Sequence, residues 1–280
     1  MMKYKYLSLD LDGTLTNSQK IITPKTKNAL IKAQENGITI ILASGRPTKG
    51  ILPIAEELRL KEFGGYILSY NGAKIINCKT NEVIYEKFVP DEIKETVYDI
   101  SKKYNINILT YENDAIITEN SDRFIEIESK INHMPVKIVK SFTKSLNFSV
   151  IKYLMTGEPE LLEKIEPLVY KKLIGYANVF RSEPFFLEVV PENLDKAASM
   201  NIFLQSQGSD RTELIACGDG FNDKSMIEFA GLGVAMENAQ KSVKDVADYI
   251  TLSNDSDGIA KVVDKFIFSE IGIFQRSSQY

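Results

Sequence analysis

The sequence predicts an α/β protein whose parallel-sheet core comes in two pieces, with an α+β domain inserted between them. Short apolar runs alternate with amphipathic stretches in residues 1–84, which is the pattern of a parallel sheet covered by helices. Over residues 85–189 the pattern changes to extended segments with two helices, and the alternation resumes at residue 190. We therefore expect a core formed by residues 1–84 and 190–280, and an inserted domain over residues 85–189.

The core pieces contain elements that can be placed one by one. The expected strands are Tyr4–Leu9, Ile38–Ala43, Tyr66–Ser69, Leu214–Cys217, Gly233–Met236 and Tyr249–Thr251. The expected helices begin at Pro24 (with Thr23 as its cap), near Thr48 (running to Leu60), at Lys196, at Asp223 and at Asp257–Gly258. Lys74–Val89 has the pattern of a hairpin that turns at Lys79–Asn81.

The inserted region is expected to contain antiparallel strands backed by two helices. The helices are Asp91–Tyr104 and Glu160–Leu173, and the extended segments are Ile106–Tyr111, Ala115–Thr118, Ser149–Met155, Ala177–Arg181 and Phe185–Val190. The segments Asn120–Arg123, Asn132–Pro135 and Ser182–Pro184 are expected to be loops.

Two acids follow the first expected strand. Asp10 and Asp12 are two positions apart, so alternation points both side chains in the same direction, and Gly13 lets the chain turn away. Carboxylates at the end of a buried strand are costly in a core and useful in a site, where they can bind a divalent cation or attack phosphorus. The alternative is a strand that ends in solvated acids before a turn.

A second apolar run ends in the same way. Leu214–Cys217 is followed by Gly218-Asp219-Gly220-Phe221-Asn222-Asp223 and then by an expected helix. Asp219 and Asp223 could complete an oxygen cage for Mg2+, and Asn222 offers a donor near the helix start. Taken alone, this segment is equally compatible with an Asp/Asn-rich turn that caps a helix.

Two further segments could contact an anion. Ser44 and the backbone amide of Gly45 come between the strand Ile38–Ala43 and the next helix, where anions bind. Lys196 lies in the first turn of its helix, and in isolation a solvated lysine is the ordinary interpretation.

Together, and in this order, the four segments resemble the haloacid dehalogenase superfamily of phosphatases, and more closely its Cof-type branch. The segments are Asp10-Leu11-Asp12-Gly13-Thr14, Ser44-Gly45-Arg46, Lys196 and Gly218–Asp223, and the resemblance covers essentially the whole chain. It departs in the third motif, where Asn193–Ala197 keeps the lysine but has no glycine on either side. The resemblance implies a doubly wound, Rossmann-like core and a cap, inserted between the second and third motifs, that determines specificity.

The resemblance also implies a role for each motif residue in a Mg2+-dependent phosphatase that forms an aspartyl-phosphate. Asp10 would be the nucleophile, and Asp12 would protonate the leaving group and then activate water. The metal-binding residues would be Asp10, Asp12 (through its backbone carbonyl), Asp219 and Asp223. The phosphate-binding residues would be Leu11, Ser44, Gly45, Lys196 and Asn222. The implied substrates are small phosphorylated metabolites, with sugar phosphates ahead of flavin mononucleotide and pyridoxal phosphate.

Composition narrows the possible partners. Lys and Arg total 34 against 38 Asp and Glu, with no basic block, so we expect no nucleic-acid partner. No apolar run approaches the length of a membrane span, so we expect no membrane partner. The two cysteines are far apart in the sequence and fit reduced thiols, so we expect a cytoplasmic protein. We expect a monomer or a small homo-oligomer. The single histidine, His133, is a poor catalytic candidate in an expected loop.

Two other functions share these residues. A phosphotransferase or phosphomutase of the same superfamily would differ mainly in excluding water. A phosphometabolite-binding sensor would not need to keep a nucleophile, so Asp10, Asp12, Lys196 and Asp219 favour an enzyme.

Overall fold

The computed structural model describes residues 3–269 of the chain, and these form two compact units. The first unit runs to Gly45, includes Ile51–Tyr85 and resumes at Asp195. The second unit consists of Arg46–Gly50 and Glu86–Leu194. The end of the expected core, residues 270–280, and the first two residues lie outside the described range.

Strands and helices make up most of both units. The strands are β1 (Tyr6–Leu9), β2 (Thr39–Ala43), β3 (Tyr66–Ser69), β4 (Lys74–Asn77), β5 (Val83–Glu86), β6 (Asn107–Glu112), β7 (Ala115–Thr118), β8 (Val136–Ile138), β9 (Tyr153–Thr156), β10 (Ala177–Glu183), β11 (Phe186–Pro191), β12 (Leu214–Gly218), β13 (Leu232–Ala235) and β14 (Tyr249–Ile250). The helices are α1 (Pro24–Glu35), α2 (Thr48–Glu57), α3 (Leu60–Phe63), α4 (Lys94–Tyr104), α5 (Arg123–Asn132), α6 (Phe142–Ser145), α7 (Pro159–Leu173), α8 (Lys196–Ser206), α9 (Lys224–Phe229), α10 (Lys241–Lys244) and α11 (Gly258–Val263).

The first unit is built on a sheet with the strand order β14-β13-β12-β1-β2-β3-β4-β5. Strands β14 to β3 in this order pair in parallel, whereas β4 is antiparallel to β3. The chain proceeds from β1 to β2 and β3 on one side and later adds β12 and β13 on the other. The strand order therefore reverses at β1, and open α/β sheets bind ligands beyond the carboxyl ends of the strands at such a point. The predicted α/β fold with a parallel-sheet core is confirmed.

Helices cover both faces of this sheet because β2 and its neighbours are apolar on both sides. Ile40 and Leu42 pack in the cluster that includes Leu30 of α1 and Val262 of α11. Ile41 and Ala43 point the other way, into a cluster with Met200, Phe203 and Leu204 of α8. Strands that are buried on both faces read as continuous apolar runs, which is why these were recognisable in the sequence.

The two helix starts that bear on the core are set by local capping. The Thr23 hydroxyl accepts a hydrogen bond from the amide of Thr26 (3.2 Å), so the predicted start of α1 at Pro24 is confirmed. The Asp195 carboxylate accepts one from the amide of Ala198 (2.7 Å), and α8 begins at Lys196 as predicted. This cap places Lys196 in the first turn of α8.

The second unit contains a sheet with the order β10-β11-β9-β6-β7-β8, in which β7 and β8 are parallel and all other neighbouring strands are antiparallel. One sheet face packs on α4 and α7 through a cluster that includes Val97, Ile108, Met155 and Ile165. Its strands and helices thus form the α+β layer that the sequence predicts.

Several predicted elements have different bounds in the structure. The helix expected over Thr48–Leu60 ends at Glu57, because Arg59 adopts a left-handed conformation (φ 57°), and α3 follows. The strand expected from Ser149 begins only at Tyr153. The expected loops Asn120–Arg123 and Asn132–Pro135 are confirmed except at Arg123 and Asn132, the end residues of helix α5, which was not predicted. Ser182 and Glu183, expected in a loop, belong to β10.

None of the helices within residues 3–269 has the length and apolarity that a membrane crossing needs.

Candidate active site

The turn after β1 brings Asp10 into the interior of the first unit. The amide of Asp10 donates to the carbonyl of Cys217 in β12 (3.0 Å), and its side chain is buried, with the residue 6% exposed. The carbonyl of Leu11, whose side chain is buried, accepts hydrogen bonds from the amides of the following turn, including that of Thr16 (2.9 Å). The sharp turn therefore follows directly on the buried carboxylate.

Gly13 is required by the geometry of this turn. Its φ is +83°, a conformation that favours glycine, and a Cβ at this position would overlap the Asp219 carboxylate. The hydroxyl of Thr14 donates to Oδ1 of Asp219 (2.8 Å). The turn after β1 and the turn after β12 are thus packed against each other.

Three carboxylates meet where these turns face each other. Asp10, Asp219 and Asp223 each offer an oxygen within 4.8 Å of the others. Oδ2 of Asp223 accepts hydrogen bonds from the amides of Asp219 (3.0 Å) and Gly220 (2.9 Å), which hold that side chain in place. A cluster of carboxylate oxygens is the donor set that Mg2+ and other hard divalent cations take, so these three residues fit such an ion.

Lys196 connects two of the three acids. Its Nζ donates to Oδ1 of Asp10 (2.7 Å), to Oδ1 of Asp223 (2.5 Å) and to the carbonyl of Ala43 (2.9 Å). The lysine is 0% exposed, which contradicts the interpretation of a solvated first-turn lysine. With these three acceptors, each N–H of the buried ammonium group has a hydrogen-bond partner. Its positive charge compensates the clustered carboxylates.

Burial and mutual repulsion shift the titration of these groups. Burial, followed by the charge of Asp223, raises the pKa of Asp10 to about 8, although Lys196 acts in the opposite direction. Burial is also the main reason that the pKa of Asp219 is raised to about 6. Burial alone would lower the pKa of Lys196, but Asp10 and Asp223 raise it above its ordinary value. Without a bound cation, Asp10 and Asp219 therefore keep their protons to a higher pH than ordinary carboxyl groups do.

The expectation that Asp10 and Asp12 point in the same direction is wrong, because β1 ends at Leu9 and both acids lie in the turn that follows it. Oδ1 of Asp12 pairs with Nζ of Lys20 (2.8 Å), and the carboxylate side chain is 36% exposed. The Asp12 carboxylate is therefore not part of the cluster of acids. The residue itself follows Asp10 by only two positions in the same turn. A partly exposed carboxylate is suited to exchanging protons with solvent.

The loop after β2 contributes a second group of polar atoms. Ser44 is buried (3% exposed), and its carbonyl accepts a hydrogen bond from the amide of Asn71 (2.9 Å). Nδ2 of Asn222 donates to Oδ1 of Asn71 (3.1 Å). Ser44, Gly45, Asn71 and Asn222 therefore lie together in the first unit.

The departure in the third motif has a simple structural explanation. Asn193 has a φ of 53°, the left-handed conformation that glycine adopts most readily and asparagine tolerates. The asparagine thus forms the turn ahead of α8 without the glycine that the family pattern has there.

Sequence reasoning brought together Asp10, Asp219, Asp223 and Lys196, and missed three residues of the surroundings. These are Thr14, Lys20 and Asn71, whose partners lie on other turns. The sequence of the Tyr70–Ala73 turn contains no pattern that assigns a role to Asn71.

Comparison with known proteins agrees with this geometry. A family model described as haloacid dehalogenase-like hydrolase matches residues 7–263. A haloacid dehalogenase-like hydrolase from Bacteroides thetaiotaomicron is 49% identical, with a TM-score of 0.91 over 94% of this chain and 99% of that one. The 5-amino-6-(5-phospho-D-ribitylamino)uracil phosphatase YcsE of Bacillus subtilis (strain 168) is 29% identical over 261 residues, or 92% of this chain and 94% of YcsE. The HAD subclass IIB sugar phosphatase BT4131 is 29% identical, with a TM-score of 0.80 over 94% of this chain and 98% of that one.

Proposed function

This chain belongs to the haloacid dehalogenase-like hydrolase family and is a phosphatase, and we propose that it hydrolyses small phosphorylated metabolites through an aspartyl-phosphate on Asp10. The observation that carries the proposal is the cluster of three buried residues, Asp10, Asp223 and Lys196, with the partly buried Asp219. It combines a nucleophile, a divalent-cation donor set and a fixed positive charge. A structural ion pair alone would not need a third acid, Asp219, beside the two that Lys196 contacts.

Asp10 is the nucleophile in this proposal. Its carboxylate oxygen attacks phosphorus, forming an acyl–phosphate bond while the ester P–O bond breaks. The hydrogen bond from Lys196 to Oδ1 fixes the orientation of the carboxylate. When bound by Asp10, the Asp12 carbonyl, Asp219 and Asp223, Mg2+ supplies positive charge that offsets repulsion between the carboxylate and the anionic ester.

Asp12 handles the protons in both half-reactions. It donates a proton to the departing alkoxide, and in the second step it takes a proton from the water that attacks the phosphorus of the aspartyl-phosphate. Inorganic phosphate then leaves and the Asp10 carboxylate is regenerated. The partly exposed position of the Asp12 side chain supports this assignment, because water can reach the carboxylate.

The remaining motif residues form the phosphate-binding group. We assign to it Leu11 (through its backbone amide), Ser44, the amide of Gly45, Lys196 and Asn222. Charge is spread over the transferring oxygens in such reactions, so amide, hydroxyl and ammonium donors stabilise the transition state. Ser44 and Asn222 each form a hydrogen bond with Asn71, which supports their acting together.

We propose that the first unit is the catalytic core and that the second unit determines which leaving group is accepted. Sugar phosphates are the substrate class we favour, because the sugar phosphatase BT4131 resembles this chain over 94% of its length. YcsE, which resembles it over a similar share, acts on a phosphorylated ribitylaminouracil, so the leaving group must be tested over a broad range.

The test combines a substrate panel with detection of the phosphoenzyme. Phosphate release is measured with Mg2+ on sugar phosphates, flavin mononucleotide, pyridoxal phosphate and p-nitrophenyl phosphate, and the phosphoenzyme is trapped by acid quench. The variant Asp10→Asn should form no phosphoenzyme with any ester. An added acceptor alcohol or sugar that captures most of the phosphoryl group would identify a transferase instead. Turnover by Asp10→Asn at the wild-type rate would contradict the assignment of the nucleophile.

A further inference from the structure

The turn that follows β3 has an unusual backbone. Tyr70, Asn71 and Gly72 have φ values of 52°, 56° and 103°, so three consecutive residues adopt left-handed conformations. For a residue as bulky as tyrosine this conformation is a rare and costly one. Asn71 is nonetheless buried, at 7% exposure, and strain of this kind persists only where the surrounding contacts impose it.

The contacts of this turn reach three separate segments of the site. The Asn71 amide donates to the Ser44 carbonyl (2.9 Å), and an ideal Cβ on Gly45 would lie 3.1 Å from the Asn71 carboxamide atoms. Gly72 packs so closely on α8 that a Cβ there would overlap the Ser199 side chain. The turn thus contacts the loop after β2 and the helix that begins with Lys196.

The third contact fixes Asn222. Oδ1 of Asn71 accepts a hydrogen bond from Nδ2 of Asn222 at 3.1 Å, although the two residues are 151 positions apart. Asn222 is itself exposed, so little packing orients its side chain. A carboxamide with one N–H held by Asn71 presents its second N–H in a defined direction, which is what an oxyanion donor needs.

From these contacts we propose that Asn71 is a positioning residue, which aligns Asn222 and the Ser44–Gly45 loop into one phosphate-binding group. This proposal rests on the proposed function and deepens it. In it, the strained turn holds phosphate-binding donors from two different loops in position relative to each other. Asn71 acts through Asn222 and is not itself required to touch the phosphoryl group.

The variant Asn71→Gly isolates the carboxamide, because glycine accepts a φ of 56° without strain. Asn81→Gly is the matched control, since Asn81 is exposed in the β4–β5 hairpin and has a φ of 59°. Affinity for orthovanadate in the presence of Mg2+, measured by titration calorimetry, reports on the phosphate-binding group without turnover. We expect Asn71→Gly to weaken it about 10- to 100-fold, the range for a lost hydrogen bond to a charged group, and Asn81→Gly to leave it unchanged.

A double-mutant cycle distinguishes positioning from general support of the fold. If Asn71 acts through Asn222, Asn71→Gly should reduce the affinity for orthovanadate only slightly in a protein that already carries Asn222→Ala. The double variant should then have about the same affinity as the single variant that binds orthovanadate less tightly. Losses that multiply, or wild-type affinity in Asn71→Gly, would overturn the proposal. The side-chain amide signal of Asn222 in 15N-correlated NMR spectra should also move in Asn71→Gly and not in Asn81→Gly.

The two proposals fail in different ways. A wild-type protein that neither binds orthovanadate nor releases phosphate from any ester would contradict the proposed function. The Asn222 amide signal would still decide the positioning role, because a signal that does not respond to Asn71→Gly shows that the two carboxamides are not coupled.

Discussion

Replacing Lys196 with methionine keeps the length of a fully buried side chain and removes its charge. In the native protein the ammonium group is shared by Asp10 (2.7 Å) and Asp223 (2.5 Å), and both carboxylate side chains are under a tenth exposed. The variant therefore leaves two buried carboxylates without their common cation. Removing one partner of a buried ion pair costs about 3–5 kcal/mol of stability.

The loss of stability in Lys196→Met should depend on whether Mg2+ is bound. In excess chelator the free energy of unfolding should fall by about 3–5 kcal/mol. With saturating Mg2+ the fall should be smaller, because the cation compensates the same carboxylates. Turnover with Mg2+ should drop about 10²- to 10³-fold, as when one stabilising donor of a transition state is removed.

Urea titration with and without chelator measures the first effect, and steady-state kinetics on p-nitrophenyl phosphate measures the second. Lys241→Met is the control, because Lys241 forms an exposed ion pair with Asp245 (2.8 Å, side chains 88% and 57% exposed) that should contribute at most about 1 kcal/mol. If Lys196→Met matches this control in stability and keeps near-normal turnover, Lys196 neither balances the acids nor assists the reaction.

Four further predictions follow from the site. Excess chelator should abolish phosphate release and Mg2+ restore it, with Ca2+ a poor substitute because its coordination is longer and looser; full activity in chelator would contradict a metal requirement. Metal binding must displace the protons that Asp10 (pKa about 8) and Asp219 (pKa about 6) hold in the metal-free protein, so Mg2+ affinity measured by calorimetry should rise from pH 6 to pH 8, and a pH-independent affinity would refute this. Asp12→Asn should slow phosphorylation by a sugar phosphate far more than by p-nitrophenyl phosphate, whose leaving group needs no proton; equal losses of stopped-flow burst rate would remove the acid–base role. Replacing Ser182–Pro184 should redistribute activity among substrates while chelator sensitivity persists, whereas a proportional loss on every substrate would mean that the segment only supports the fold.

The features that sequence determined are those whose interactions are local. The caps Thr23 and Asp195 accept hydrogen bonds from amides three residues later in the chain. The apolar runs of the core strands are visible because both faces are buried. Each of these signals lies within a few residues, so the fold class and the principal acids could be predicted without coordinates.

Helix α5 shows how a regular element can escape this reasoning. Its buried positions include Glu128 and Asn132 beside Phe124 and Ile125. Polar residues on the buried face interrupt the apolar period by which helices are recognised. The sequence pattern therefore predicts no helix between the loops Asn120–Arg123 and Asn132–Pro135, and only the packing of the second unit shows why one forms there.

Tertiary structure alone decided which distant groups share a charge or a hydrogen bond. Lys196 reads as an ordinary first-turn lysine, yet the fold buries it between Asp10 and Asp223, and Asn71 meets Asn222 only because β3 and β12 both end at the same edge of the sheet. Lys196 and Asp10, and likewise Asn71 and Asn222, are more than a hundred residues apart in the chain. Lys196 and Asp223 are 27 residues apart. Local propensity carries no information about such pairs, since the energy that forms them exists only after the sheet has assembled.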